Sequence, residues 1–77
     1  MADDARLTMW TVYDRPTDHP DSFVARRWSI EPGGARAERV TIVARAIAPI
    51  RAWLHATGFH RMPAMPGDDP VILETWF

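Results

Sequence analysis

Val71-Ile72-Leu73-Glu74-Thr75-Trp76-Phe77 is apolar and β-forming along nearly its whole length, and it directly follows the turn-rich Pro66-Gly67-Asp68-Asp69-Pro70. Such a run reads as a strand, whose alternate residues take opposite faces. Val71, Leu73, Thr75 and Phe77 are then expected on one side, and Ile72, Glu74 and Trp76 on the other. A chain of 77 residues supplies one modest core, burying roughly 60% of its unfolded surface. Only one side of this strand is therefore expected to meet a covering element, and the other is a candidate contact surface.

Working back from this strand, Ile47, Ile50, Trp53 and Leu54 recur at helical spacing. Pro49 fits only a first turn, and Gly58 sits where a C-cap glycine belongs. These features predict a helix from about Ala48 to Thr57, with Phe59 to Met62 as a short strand and Pro63 to Pro70 as a loop. Before the helix, Thr8 to Tyr13, Phe23 to Ile30 and Arg39 to Ala44 read as strands, separated by the proline- and Asp-rich Asp14–Ser22 and by Pro32-Gly33-Gly34. The order strand, strand, strand, helix, short strand, strand predicts an α+β domain. Its sheet is antiparallel with four to five strands, and one helix packs on one face (order β-β-β-α-β-β). Residues 1 to 7 read as a frayed or disordered amino-terminal extension, and 8 to 77 as the single domain.

The helix offers Ile47, Ile50, Leu54 and part of Trp53, which are expected to meet Val71, Leu73 and Phe77. That leaves Ile72 and Trp76 on the open side, joined by Trp10 or Trp28, as a site for a partner or for self-association. The alternative is that Arg side chains and the proline loops cover them. Arg26 and Arg27 are adjacent in a strand and point to opposite faces. Stacking on Trp28 or Trp76, or pairing with Glu74, accounts for one of them structurally; a binding role is the alternative for Arg26.

Charge is segregated along the chain. Residues 1 to 21 carry two Arg against five Asp, residues 22 to 61 seven Arg against two Glu, and residues 62 to 77 only Asp68, Asp69 and Glu74. All nine basic residues are Arg, as GC-rich codon usage produces or as bidentate recognition of carboxylate and phosphate requires. Asp14, Asp18 and Asp21 fall in one loop and Asp68 and Asp69 in another, and both loops are expected at one edge of the sheet. Turn capping explains such residues structurally. The functional reading is an acidic patch that engages a basic groove of the kind that holds nucleic acid.

Chemistry is thinly represented. His19, His55 and His60 fit no ligand spacing, and Cys is absent, so no metal site or cofactor is expected. Ser22 and Ser29 sit in no nucleophile elbow, and Gly33-Gly34 alone is a turn rather than a phosphate-binding loop. The chain is read as not an enzyme. The acidic Met1-Ala2-Asp3-Asp4 start and the lack of a long apolar run point to a cytoplasmic protein with no membrane partner.

Trp10-Thr11-Val12-Tyr13-Asp14 with Pro16, then Phe23-Val24-Ala25-Arg26-Arg27-Trp28, and the ending Gly67-Asp68-Asp69-Pro70-Val71-Ile72-Leu73-Glu74-Thr75-Trp76-Phe77 resemble a group of small bacterial proteins of prophages and other mobile elements. The likeness covers most of the chain from Met9 onward and carries no catalytic motif. It implies a non-enzymatic interaction protein, and small Cys-poor proteins of such elements include anti-CRISPR proteins. On that reading the partner is a host protein or nucleoprotein complex, such as a CRISPR-Cas subunit of a type I surveillance complex. Asp14, Asp18, Asp21, Asp68 and Asp69 would face its basic groove, with Ile72 and Trp76 as anchors. Two alternatives stand beside it. One is a small RNA- or DNA-binding domain using the Arg-rich middle, against which the flanking acid counts. The other is a homodimer that buries the open sheet face or pairs its final strand.

Overall fold

The computed structural model describes residues 7–77. Its elements are β1 (Leu7–Asp14), β2 (Phe23–Glu31), β3 (Gly34–Ala44), α1 (Ile47–Ala56), β4 (Arg61–Pro63) and β5 (Ile72–Trp76). All strand pairs are antiparallel, in the spatial order β3-β2-β1-β5-β4. The α+β class, the element order and the single covering helix are those expected. The extension expected over residues 1 to 7 lies outside the described residues except for Leu7, which instead opens β1 opposite Ile30.

The third strand is longer than its β-branched segment suggests. Gly33 and Gly34, with φ of 101° and 142°, take a backbone that L side chains rarely adopt, so the β2–β3 turn is tight and pairing starts at Glu31 opposite Gly34. α1 begins close to where its pattern does. Pro49 sits in the first turn, where its missing N–H costs no bond. At the other end Gly58, at φ 96°, donates to the His55 carbonyl and Phe59 to the Leu54 carbonyl, which closes the helix.

One face of the sheet meets α1 and holds the core. Trp10, Val12, Ala25, Ile50, Leu54 and Trp76 are buried together, with Phe23, Ile42, Ala44, Ile47 and Phe59 packed around them. Each large side chain removed from water here contributes about 1.5–3 kcal/mol. Trp10 is the hub: its ring meets Trp53 at 5.4 Å and Phe59 at 6.5 Å, both edge-on.

At Glu74 and Trp76 the faces of β5 are the reverse of those expected, while the register shift leaves Ile72 opposite Tyr13, away from the helix, as expected. Trp76 lies opposite Trp10 and Glu74 opposite Val12, which places both on the helix side, while Phe77 is 56% exposed. Trp76 is only 5% exposed, so it is a core residue and not a surface anchor, and Trp10 likewise does not join the open face. The physical reason is a set of partners for the one carboxylate in the strand. Glu74 is fully buried and accepts from Arg51 Nη2 at 2.7 Å, Arg51 Nε at 3.1 and 3.2 Å, Arg61 Nη1 at 3.4 Å and Trp76 Nε1 at 2.8 Å. α1, β4 and β5 are thereby tied through one group. Burial opposes ionisation of Glu74, but the hydrogen bonds from Arg51 and Trp76 and the charges of Arg51 and Arg61 outweigh it, and its carboxyl is held below the ordinary range.

Candidate functional site

The loop after β1 and the loop before β5 meet because β1 and β5 are neighbours in the sheet. Asp14 N–H donates to the Val71 carbonyl at 2.8 Å, joining them directly. A register shift between Val12 and Tyr13 then sets Ile72 opposite Tyr13. Beyond this junction the two loops wall an open concavity of about 560 Å³. It is lined by Tyr13, Arg15, Pro16, Asp18, Arg26 and Asp69, among others.

Each loop holds itself in shape. His19 N–H bonds the Pro16 carbonyl at 2.8 Å, and Ser22 N–H bonds that of His19 at 3.2 Å. Arg15 has a φ of 47°, the one non-glycine residue among those described with a left-handed backbone, and it pairs with its neighbour Asp14 at 2.7 Å. In the other loop the Asp68 carboxylate accepts from Met65 N–H at 2.9 Å and that of Asp69 from Val71 N–H at 3.0 Å. These two residues therefore do the turn-capping work that Asp commonly does, and each keeps further acceptor capacity toward solvent.

Two of the expected site residues form a pair. Arg26 Nη2 donates to Asp18 at 2.7 Å while its guanidinium sits over the Tyr13 ring, 5.8 Å from the centroid. The pair is about half exposed, so solvent screens it and it contributes at most about 1 kcal/mol. Its consequence is positional. It holds Asp18 at the mouth of the concavity and lays the Arg26 stem along an aromatic surface. Arg27 takes the other face and donates to Glu38 at 2.6 and 2.9 Å, so neither Arg is the partner of Glu74 or stacks on Trp76.

Of the residues singled out from sequence, Asp18, Asp69 and Arg26 thus line one concavity, with Asp14 at the end of β1, Asp68 in the loop before β5 and Asp21 exposed on the loop after β1. Ile72 is half-buried on the strand beneath, and Trp76 belongs to the core. Sequence reasoning passed over Tyr13, Pro16 and Thr17, which form much of the wall. Among the described residues no group of three or more His, Asp or Glu is placed to hold a metal ion, and no helix is long and apolar enough to cross a membrane. No family model matches the chain, and no curated protein or solved structure matches it significantly.

Proposed function

We propose that the protein is a non-enzymatic interaction module that acts by covering a basic surface on a partner, with the paired loops around Asp18 and Asp69 as its contact end. The observation that carries this reading is the junction of the two acidic loops, tied by the Asp14–Val71 hydrogen bond around one open concavity. Five Asp at one end of the sheet, four on the two loops and Asp14 at the end of β1, against Arg15 and Arg26, give that end a net negative field that complements a positive groove. The more specific form is an anti-CRISPR-like inhibitor from a mobile element that docks on a protein subunit of a type I surveillance complex. Its support is the size of the chain, the resemblance in its strands and this charge arrangement.

The nucleic-acid alternative is weaker than the Arg count suggests. Arg26, Arg27, Arg51 and Arg61 pair with carboxylates within the domain, and counterion release requires uncommitted positive charge. Dimerisation by pairing of the final strand has little edge to use, because β4 covers β5 from Glu74 to Trp76 on one side and β1 lies on the other.

The test is a pull-down of the tagged protein from a bacterial lysate expressing a type I surveillance complex, with and without nuclease, read by mass spectrometry. Nuclease-resistant recovery of one subunit, abolished by neutralising Asp18, Asp21 and Asp69 together, is the expected result. Recovery of the complex only while its nucleic acid is intact, or undiminished recovery by the neutralised variant, overturns the reading.

A further inference from the structure

Among the described residues β3, eleven residues long, is an edge strand with β2 as its neighbour, and its register on β2 shifts between Ala37 and Thr41. From Thr41 to Ala44, beyond that shift, alternate N–H and C=O groups on its free side face outward, which is the template on which an extended chain adds a strand. Beside it α1 does not close fully over the sheet. Ile42, Ala44, Pro49, Ile50 and Trp53 line an almost wholly apolar groove of about 380 Å³ between strand and helix. Trp53 remains 45% exposed, and Val40 and Val43 on the strand are 41% and 46% exposed.

The charges around this groove select its occupant. Arg39 on the strand and Arg45 just beyond it are exposed and have no carboxylate partner among the described residues, and Arg36 reaches Glu31 only at 3.9 Å with its side chain 76% exposed. A second copy of this chain fits poorly. An antiparallel self-pairing that lays the apolar set on itself, centred on Ile42, brings Arg39 of each copy close to Arg45 of the other. Like charges directly opposite in a sheet are destabilising. An extended partner with carboxylates at those two positions and an apolar residue between them satisfies the strand edge, the groove and both Arg at once.

We propose that β3 and the groove beside it bind an extended acidic segment of a partner protein, which adds a strand to β3, sets an apolar side chain against Ile42, Pro49 and Trp53, and places carboxylates on Arg39 and Arg45. This surface is distinct from the acidic loop end. That end takes a basic surface, and the β3 edge takes acidic strands.

The probe is a capped nonapeptide alternating Glu with Val and Ile, titrated into the isotopically labelled full chain and read by amide and indole NMR shifts. Saturable shifts along β3 and at the Trp53 indole are expected, weakening with salt. The Arg39→Glu, Arg45→Glu double variant is expected to bind roughly tenfold more weakly or less while melting as the parent does. The matching peptide with Lys for Glu is expected not to bind. Absence of β3 shifts, equal binding of the Lys peptide, self-association of the free chain through β3, or tighter binding of single-stranded oligothymidine at the same amides each overturns the proposal. Neutralising Asp18 and Asp69 leaves this titration unchanged, so the two surfaces are tested separately.

Discussion

Glu74 and Asp69 stand five residues apart in one segment and carry the same functional group, yet they play opposite parts. Glu74 is enclosed by α1, β4 and β5 with two Arg and the Trp76 indole as donors, and every lone pair it can use is committed inward. The Asp69 carboxylate accepts one backbone N–H and otherwise faces an open concavity. A carboxylate becomes structural where donors from several elements converge on it and it leaves water; it stays available for binding where a single local bond fixes it and solvent reaches the rest.

That contrast is broken most severely from the structural side. Trp76→Ala removes a core side chain and a donor to Glu74, and is expected to cost about 3–5 kcal/mol of a total that for this length is about 4–11 kcal/mol. Urea denaturation followed by circular dichroism checks it, and a loss below about 1 kcal/mol contradicts the placement of Trp76 in the core. Glu74→Gln keeps the shape but leaves Arg51 and Arg61 without their counter-charge. Because both Arg are about half exposed and recover some hydration, the expected cost is about 2–4 kcal/mol.

The same group sets an acid limb. Its folded carboxyl titrates below the ordinary range, so as pH falls below about 4.3 the unfolded chain takes up the proton first. The stability Glu74 contributes is full above that pH and is lost as pH falls through the folded value. Melting temperature against pH should therefore slope less steeply below about pH 4 in Glu74→Gln than in the parent.

Smaller effects belong to the loops. Asp69→Ala and Asp68→Ala each remove one turn-holding hydrogen bond, worth about 0.5–1.5 kcal/mol. Asp18→Asn breaks only a screened pair and is expected to shift stability by no more than about 1 kcal/mol. If Asp18→Asn destabilises as much as Glu74→Gln, the division between structural carboxylates and those left open to solvent fails.

The two carboxylates also mark how far sequence carries the account. Strand and helix identities were legible because Val40, Ile42 and their neighbours alternate while Ile47, Ile50 and Leu54 recur at helical spacing. The junction of the acidic loops was legible only as one possible arrangement, because the sequence leaves the spatial order of the strands open. The faces of β5 were not, because alternation alone leaves the choice of side open and a lone carboxylate in an apolar run favours solvent. One signal was present: Arg51 falls four residues after Ile47 and three before Leu54, on the apolar stripe of the helix, which calls for a buried anion opposite. The register shift at Val12/Tyr13 has no sequence mark, and it decides which residues of β5 lie beneath the concavity.

The most direct measurement pairs stability with binding in one variant. Asp18→Asn, Asp21→Asn and Asp69→Asn are combined, and the melting temperature is recorded beside the affinity for purified type I surveillance complex. The account predicts a melting temperature close to the parent's and binding lost by roughly tenfold or more. Unchanged affinity, or a collapse in melting temperature like that of Glu74→Gln, would contradict the assignment of the acidic loop end as the contact surface.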